Sequence, residues 1–271
     1  MKPSSLLALM FLVLLSISCK KEGSPDNPEP PAGYKLSYSD SIFYLGQTSY
    51  TVNPAIPLQG KYEAHPNNLN INNSTGAITV SLNGKDGESQ TGLRYKITYT
   101  SPSGDMHTTY IVLAGIHYQD KIVYENNNPY IDPIFNADPS LSNPGGTFSS
   151  DDDNDLVINP TTGRINLKQS IENGIMGGNP ESDDWKIINV EYATTYQGVP
   201  IKHNINLLIY LYSSIDVIPK NVSAVMIAHQ GLLNGIPAVN IPQTFHPADN
   251  SINDEVFADK PRPPCIILIG N

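Results

Sequence analysis

The chain is short of most features that announce a chemistry. It has two cysteines in 271 residues, Cys19 and Cys265, so at most one bridge can form and no disulfide framework supports the fold. Lysine and arginine total 16 against 26 aspartates and glutamates, a formal net charge of −10, and the basic residues nowhere cluster. An acidic chain without a basic patch argues against nucleic acid and other polyanions as partners. No H-E-x-x-H, G-x-S-x-G, P-loop or C-x-x-C appears, so nothing proposes a zinc site, a serine nucleophile or a nucleotide site. The histidines, at 65, 107, 117, 203, 229 and 246, are scattered, and no carboxylate pair is set apart by its spacing as a hydrolytic dyad. The chain therefore reads as non-enzymatic and without a resident cofactor. Long helix-forming runs are scarce as well, whereas 23 prolines, 20 glycines and 15 tyrosines point to an all-β protein with many turns.

What is present begins at the N-terminus. Lys2 precedes the apolar run Leu6–Leu15, and Ser16-Ile17-Ser18 forms a small-x-small exit just before Cys19. Such a run falls well short of the roughly 20 residues that span a bilayer core as a helix. After Cys19 the chain turns polar and Pro-rich, from Lys20 to Pro31. This pattern resembles a bacterial lipoprotein leader, in which residues 1–18 are removed and Cys19 becomes the acylated first residue. Ser16 stands where that family prefers Leu, and a secretory signal cut after Ser18 is the alternative reading. The resemblance implies a membrane partner through lipid on Cys19, with residues 19–34 as a flexible tether. It also implies an address at the outer membrane of a Gram-negative bacterium, on the periplasmic side or the cell surface. Several acyl chains on one cysteine anchor stably. Acylation would leave Cys265 unpaired, as a small buried hydrophobe before Ile266–Ile269.

An internal repeat is the second strong signal. Tyr38-x-Asp40-x-Ile42-x-Tyr44, with Tyr50 following, recurs 80 residues on as Tyr118-x-Asp120-x-Ile122-x-Tyr124 with Tyr130. Leu69-x-Ile71-Asn72-x-x-Thr75-Gly76-x-Ile78-x-Val80 recurs at a displacement of 87 as Leu156-x-Ile158-Asn159-x-x-Thr162-Gly163-x-Ile165-x-Leu167. The seven extra residues fall between Tyr130 and Leu156, and the spacing places them around Ser142 to Asp155. Each copy is written in period two, with Tyr38, Asp40, Ile42 and Tyr44 on one face of an opening strand and Asn- and Gly-rich turns between short apolar strands. Arg94–Thr100 and Thr108–Ala114 read as a hairpin around Ser101–Asp105. These patterns predict two tandem β-sandwiches, residues 35–116 and 117–213. The L-x-I-N-x-x-T-G-x-I motif resembles the strand–turn–strand signature of cadherin-like and Ig-like bacterial surface domains. That family's D-x-N-D-N-x-P linker is absent at Gly115–Tyr118, so its interdomain calcium site does not carry over. Residues 214–271 leave the repeat and read as strands of a third, smaller, mainly-β unit.

Two places could hold a ligand. Asp151, Asp153 and Asp155 alternate like the start of an EF-hand loop, but Leu156 stands where Gly is required and Thr162 where Glu is required. The segment reads first as a solvated acidic loop, with Ca²⁺ as the alternative. Trp185 and Tyr196 lack counterparts in the first copy and are the candidate ligand-binding aromatics, although a core position is the ordinary expectation for Trp185. The duplicated tyrosines and His107/His203 read as structural. The sequence thus points to a membrane-anchored, non-enzymatic lipoprotein whose sandwich modules mediate binding or adhesion to a protein or glycan. Glycan binding within a polysaccharide-uptake system is the alternative, and an enzyme with its site in residues 214–271 is the third reading.

Overall fold

The computed structural model describes residues 29–82, 91–151, 155–220, 222, 223, 226 and 264–270. The leader, Cys19, most of the tether, Asp153 and the Pro/Asn-rich stretch 235–247 lie outside the described residues.

The first half contains β1 (Ile42–Phe43), β2 (Tyr50–Val52), β3 (Lys61–His65), β4 (Ile78–Val80), β5 (Arg94–Thr100) and β6 (Met106–Leu113). Alternation decides which face each strand buries. Along β5, Tyr95, Ile97 and Tyr99 point inward while Arg94, Lys96, Thr98 and Thr100 stay half-exposed. One sheet runs β1-β6-β5-β3, and β2-β4 forms the second. Both contribute to a single core in which Tyr62, Ile78, Tyr95, Ile97 and Leu113 are fully buried.

The second half follows with β7 (Ile116–Tyr118), β8 (Lys121–Tyr124), β9 (Tyr130–Ile131), β10 (Pro133–Phe135), β11 (Gly146–Ser150) and β12 (Ile165–Asn166). A short helix α1 (Leu167–Glu172) precedes the long hairpin of β13 (Trp185–Tyr196) and β14 (Val199–Tyr212), and β15 (Cys265–Ile269) ends the described chain. The all-β expectation holds. The helix, which the sequence reading did not anticipate, starts because the Asn166 side chain accepts the Gln169 N–H at 3.1 Å.

The repeat is visible atom by atom. Asn72 Oδ1 accepts the N–H groups of Ser74 and Thr75 at 2.9 and 3.0 Å, and Asn159 Oδ1 accepts those of Thr161 and Thr162 at 2.9 Å each. Gly76 and Gly163 close these turns at φ +71° and +74°. A Cβ on Gly76 would stand 2.5 Å from the Tyr62 ring, and one on Gly163 would stand 2.6 Å from the Phe148 ring. Only glycine meets both demands. Each turn is then tied down by the first tyrosine of its copy: the Tyr38 hydroxyl donates to Gly76 O at 2.8 Å, and the Tyr118 hydroxyl to Gly163 O at 2.7 Å.

Three expectations need correction. The opening segment does not keep one face: Tyr34, Leu36 and Tyr38 are buried, and then Phe43 and Leu45 are. The parity resets at Asp40, whose carboxylate accepts the Ser41 and Ile42 N–H groups at 2.6 and 3.3 Å. The extra length of the second copy, expected around Ser142 to Asp155, lies mostly before Phe148 and so ahead of the acidic loop. Tyr62 opposes Tyr99 as Phe148 opposes Tyr192, a displacement of already 86, so six of the seven added residues precede Phe148. The third correction concerns the C-terminal residues. Their described strand, β15, does not belong to a separate unit but lies inside the second half's own sheet, ordered β11-β13-β14-β15-β8. Ile266 and Leu268 join the second core, while Cys265, Ile267 and Ile269 pack with Tyr212, Ile218, Val222 and Met226 in a small third cluster on the other side of that sheet.

Candidate functional site

Two features stand out on this scaffold: a cleft between the halves and an outward sheet face.

The cleft, of about 260 Å³, is lined by Tyr44 and Ala114 from the first half and by Asn136, Tyr192, Tyr196 and His203 from the second, among others. The segment after β10 builds one wall. Asn136 and Ala137 sit at φ +50° and +55°, and Asn136 Oδ1 accepts the Gly115 N–H at 2.9 Å. Tyr44 and Tyr196 stack across the cleft with ring centroids 4.0 Å apart and planes within 5°. His203 Nδ1 and Thr91 Oγ1 share a hydrogen bond of 3.2 Å between the two halves. Burial pushes the His203 imidazole down to about 4, so the cleft carries no histidine charge at neutral pH. Its walls are fixed further by the Tyr192 hydroxyl on Asn143 at 3.0 Å and the Thr194 hydroxyl on Gly145 O at 2.7 Å. Such a cleft joins the two halves and offers no acid–base pair. Tyr196, a candidate from the sequence, lines this cleft and stacks on Tyr44 at the joint.

The outward face of β13 and β14 is of another kind. Inward residues Ile188, Val190 and Tyr192 fill the second core, which leaves Trp185, Ile187, Asn189 and Glu191 on the opposite face. Register sets Trp185 against Tyr210, Ile187 against Leu208 and Asn189 against Asn206. The face thus grades along its length. It is aromatic and aliphatic at one end, passes through the Asn189–Asn206 amide pair at 3.1 Å, and ends at the Lys202–Glu191 ion pair at 3.0 Å. Trp185 is 59% exposed and Ile187 49%, which corrects the core expectation for the tryptophan. It stands at the first residue of β13, on the parity that faces away from the core.

The remaining candidates are placed as follows. Asp151 is exposed and Asp155 half-buried, and Asp153 between them lies outside the described residues, as does Cys19. Among the described residues no group of three or more His, Cys, Asp and Glu is placed to hold a metal ion, and no helix is long and apolar enough to cross a membrane. Cys265 is buried at 1% exposure. Sequence reasoning missed the cleft, whose walls, Tyr44 on one side and Tyr196 on the other, come from opposite halves of the chain. The outward row was there to be found, since Trp185, Ile187, Asn189 and Glu191 alternate with core residues.

No family model and no curated protein matches the chain. Among solved structures it is similar to mouse clustered PcdhgC3 EC1-3, at 9% identity over 65% of this chain and 67% of that one, with a TM-score of 0.21. The human desmocollin-1 ectodomain matches at 15% identity over 63% of this chain and 36% of its own, with a TM-score of 0.19. The insect immune protein hemolin matches at 10% identity over 65% and 48%, with a TM-score of 0.21. The chain thus spans well under two thirds of the latter two. Superpositions this slight carry no argument about function, which rests on the residues themselves. The described residues define an all-β protein with a duplicated strand–turn–strand unit and an exposed sheet face headed by Trp185.

Proposed function

We propose that this chain is a membrane-tethered, non-enzymatic binding protein of the bacterial periplasm or cell surface, and that the outward face of β13 and β14 is its contact surface. The observation that carries the reading is Trp185, the chain's one tryptophan, which is 59% exposed at the head of an ordered row of side chains. Large aromatic rings are costly to leave in water and are enriched where proteins meet partners. The tether rests on the leader pattern that ends at Cys19, and acylation there holds the sandwiches to a membrane.

A glycan ligand is the second reading, favoured by one particular arrangement. Trp185 supplies a ring face for the apolar face of a sugar, and Asn189 and Asn206 supply amide donors and acceptors for its hydroxyls along the same row.

Tryptophan emission reports contact directly because no other tryptophan contributes. A soluble chain carrying Cys19→Ser is titrated with a panel of bacterial and plant oligosaccharides and, separately, used to capture surface proteins. Saturable binding that Trp185→Ala removes is the expected result, and a partner bound equally by Trp185→Ala overturns the face. Fractionation tests the tether: Cys19→Ser moves the protein out of the membrane fraction, and an intact mass showing an unmodified mature N-terminus overturns acylation.

A further inference from the structure

The two halves close their sheets differently. In the first, β1 pairs directly and in parallel with β6, Ile42 against Val112 and Phe43 against Leu113. In the second, the equivalent strands β8 and β14 do not meet. β15 lies between them, parallel to both, with Leu208–Tyr212 on one side and Lys121–Tyr124 on the other. The first half shows that such a module closes without an inserted strand. β15 is therefore an added element, and it occupies an interior position of the sheet with all five residues buried.

A duplicated residue has changed its role to receive it. Asp40 is exposed and binds the backbone N–H groups of its own neighbours. Its counterpart Asp120 is fully buried, and its carboxylate accepts the Cys265 N–H at 2.8 Å, across 145 residues. The slot thus combines two ladders of backbone hydrogen bonds, a buried acceptor at its mouth, and apolar surface on both faces of the sheet.

The partners described for β15 are β8, β14, Asp120, the second core and the third cluster, and none of these contacts depends on β15 being reached through the same chain. In sequence, 37 residues (227–263) separate Met226 from Pro264. A connection of that length sets an effective concentration of only about the millimolar order for a chain's own strand. A second copy offers the same strand with the same contacts, so exchange costs no interaction.

We propose that residues 264–270 are an exchangeable strand through which two copies of this chain join, each filling the β8–β14 slot of the other. This goes beyond the proposed contact face, since the slot lies between strands and not on the outer row around Trp185. At micromolar concentration each chain keeps its own strand. Where copies are crowded, as tethering to one surface would make them, exchange competes.

The test uses full-length mature chains carrying Cys19→Ser. One population also carries Leu208→Cys and Cys265→Ser, and the other keeps its native Cys265. Leu208 and Cys265 are register partners, so a disulfide between the two populations requires exchange. The mixture is unfolded, refolded together at ~0.5 mM and at ~5 µM, and oxidised. A disulfide-linked heterodimer at the higher concentration, at least ten-fold more abundant than at the lower, is the expected result. Size-exclusion chromatography with light scattering on the Cys19→Ser chain alone, refolded at the same two concentrations, gives a readout free of the Leu208 change. A dimer is expected only at the higher concentration, and a strictly monomeric chain at both overturns the proposal.

Discussion

His203 and Thr91 share a 3.2 Å hydrogen bond that ties β14 of the second half to the residues leading into β5 of the first. The imidazole is 4% exposed, and its burial holds it down at about 4 against an ordinary 6.5. The unfolded chain therefore binds a proton in the window where the folded chain does not. Stability is fully present above about pH 6.5, falls as the pH drops from there to about 4, and levels off below. The full shift corresponds to about 3 kcal/mol at most. Urea melts at pH 7, 5.5 and 4 should show this loss, and His203→Gln should flatten it within that window while leaving other acid-sensitive groups untouched. Parallel pH profiles for the two proteins would show that His203 is not linked to folding.

The glycine of the repeated turn should be less replaceable than a glycine with positive φ alone. Gly76 and Gly104 both sit at positive φ, but a Cβ on Gly76 meets Tyr62 and Pro54 within 2.8 Å whereas one on Gly104 meets nothing within 4 Å. Gly104→Ala should cost about 1 kcal/mol of backbone strain. Gly76→Ala should exceed it by about 1–3 kcal/mol, because the ring of a core tyrosine must move as well. Denaturation midpoints of the two variants decide the matter, and equal losses would mean that strain alone explains Gly76.

These turns were legible in the sequence because every requirement is local: an Asn whose side chain caps two amides, and a Gly four residues on. The strands were legible for the same reason, since alternation such as Tyr95, Ile97 and Tyr99 fixes a buried face without knowledge of the partner. The placement of β15 was not. Cys265–Ile269 reads as an apolar run that suits any buried strand, and its position between β8 and β14 depends on pairing across more than 140 residues. The cleft was hidden in the same way, because Tyr44 and Tyr196 meet only once both halves are folded. The ordinary core expectation for Trp185 fails because, as the first residue of β13, it falls on the parity that faces away from the core.

The Tyr44–Tyr196 stack joins the halves and should behave as a coupled pair. Aromatic pairs contribute about 0.5–1.5 kcal/mol beyond the area they bury. Tyr196→Ala and Tyr44→Ala should each destabilise the chain. The double variant should fall short of the sum of the singles by an amount in that range, read from a double-mutant cycle of urea melts. Strict additivity would mean that the rings touch without contributing to the joint.

The acidic segment should behave as a solvated loop. Asp151 is exposed and only Asp155 is half-buried among its described members. Thermal melts with and without millimolar Ca²⁺ should coincide, since a cation that binds only the folded state would raise the midpoint by mass action. A rise that Asp153→Asn abolishes would establish a calcium site in its place.

The paired aspartates of the repeat give the sharpest contrast between duplicated positions. Asp40→Ala removes an exposed cap on two neighbouring amides and should cost no more than about 1 kcal/mol. Asp120→Ala removes a buried acceptor and strands the Cys265 N–H at the mouth of the β8–β14 slot, where an unpaired buried donor costs about 1–3 kcal/mol. The loss should also be local. Hydrogen exchange should rise first in β15 and in the β14 residues that pair with it, Leu208–Tyr212, while β5 and β6 of the first half keep their protection. Equal costs for the two variants, or a uniform rise in exchange across both halves, would show that Asp120 merely supports the second half as Asp40 supports the first and has no particular hold on the inserted strand.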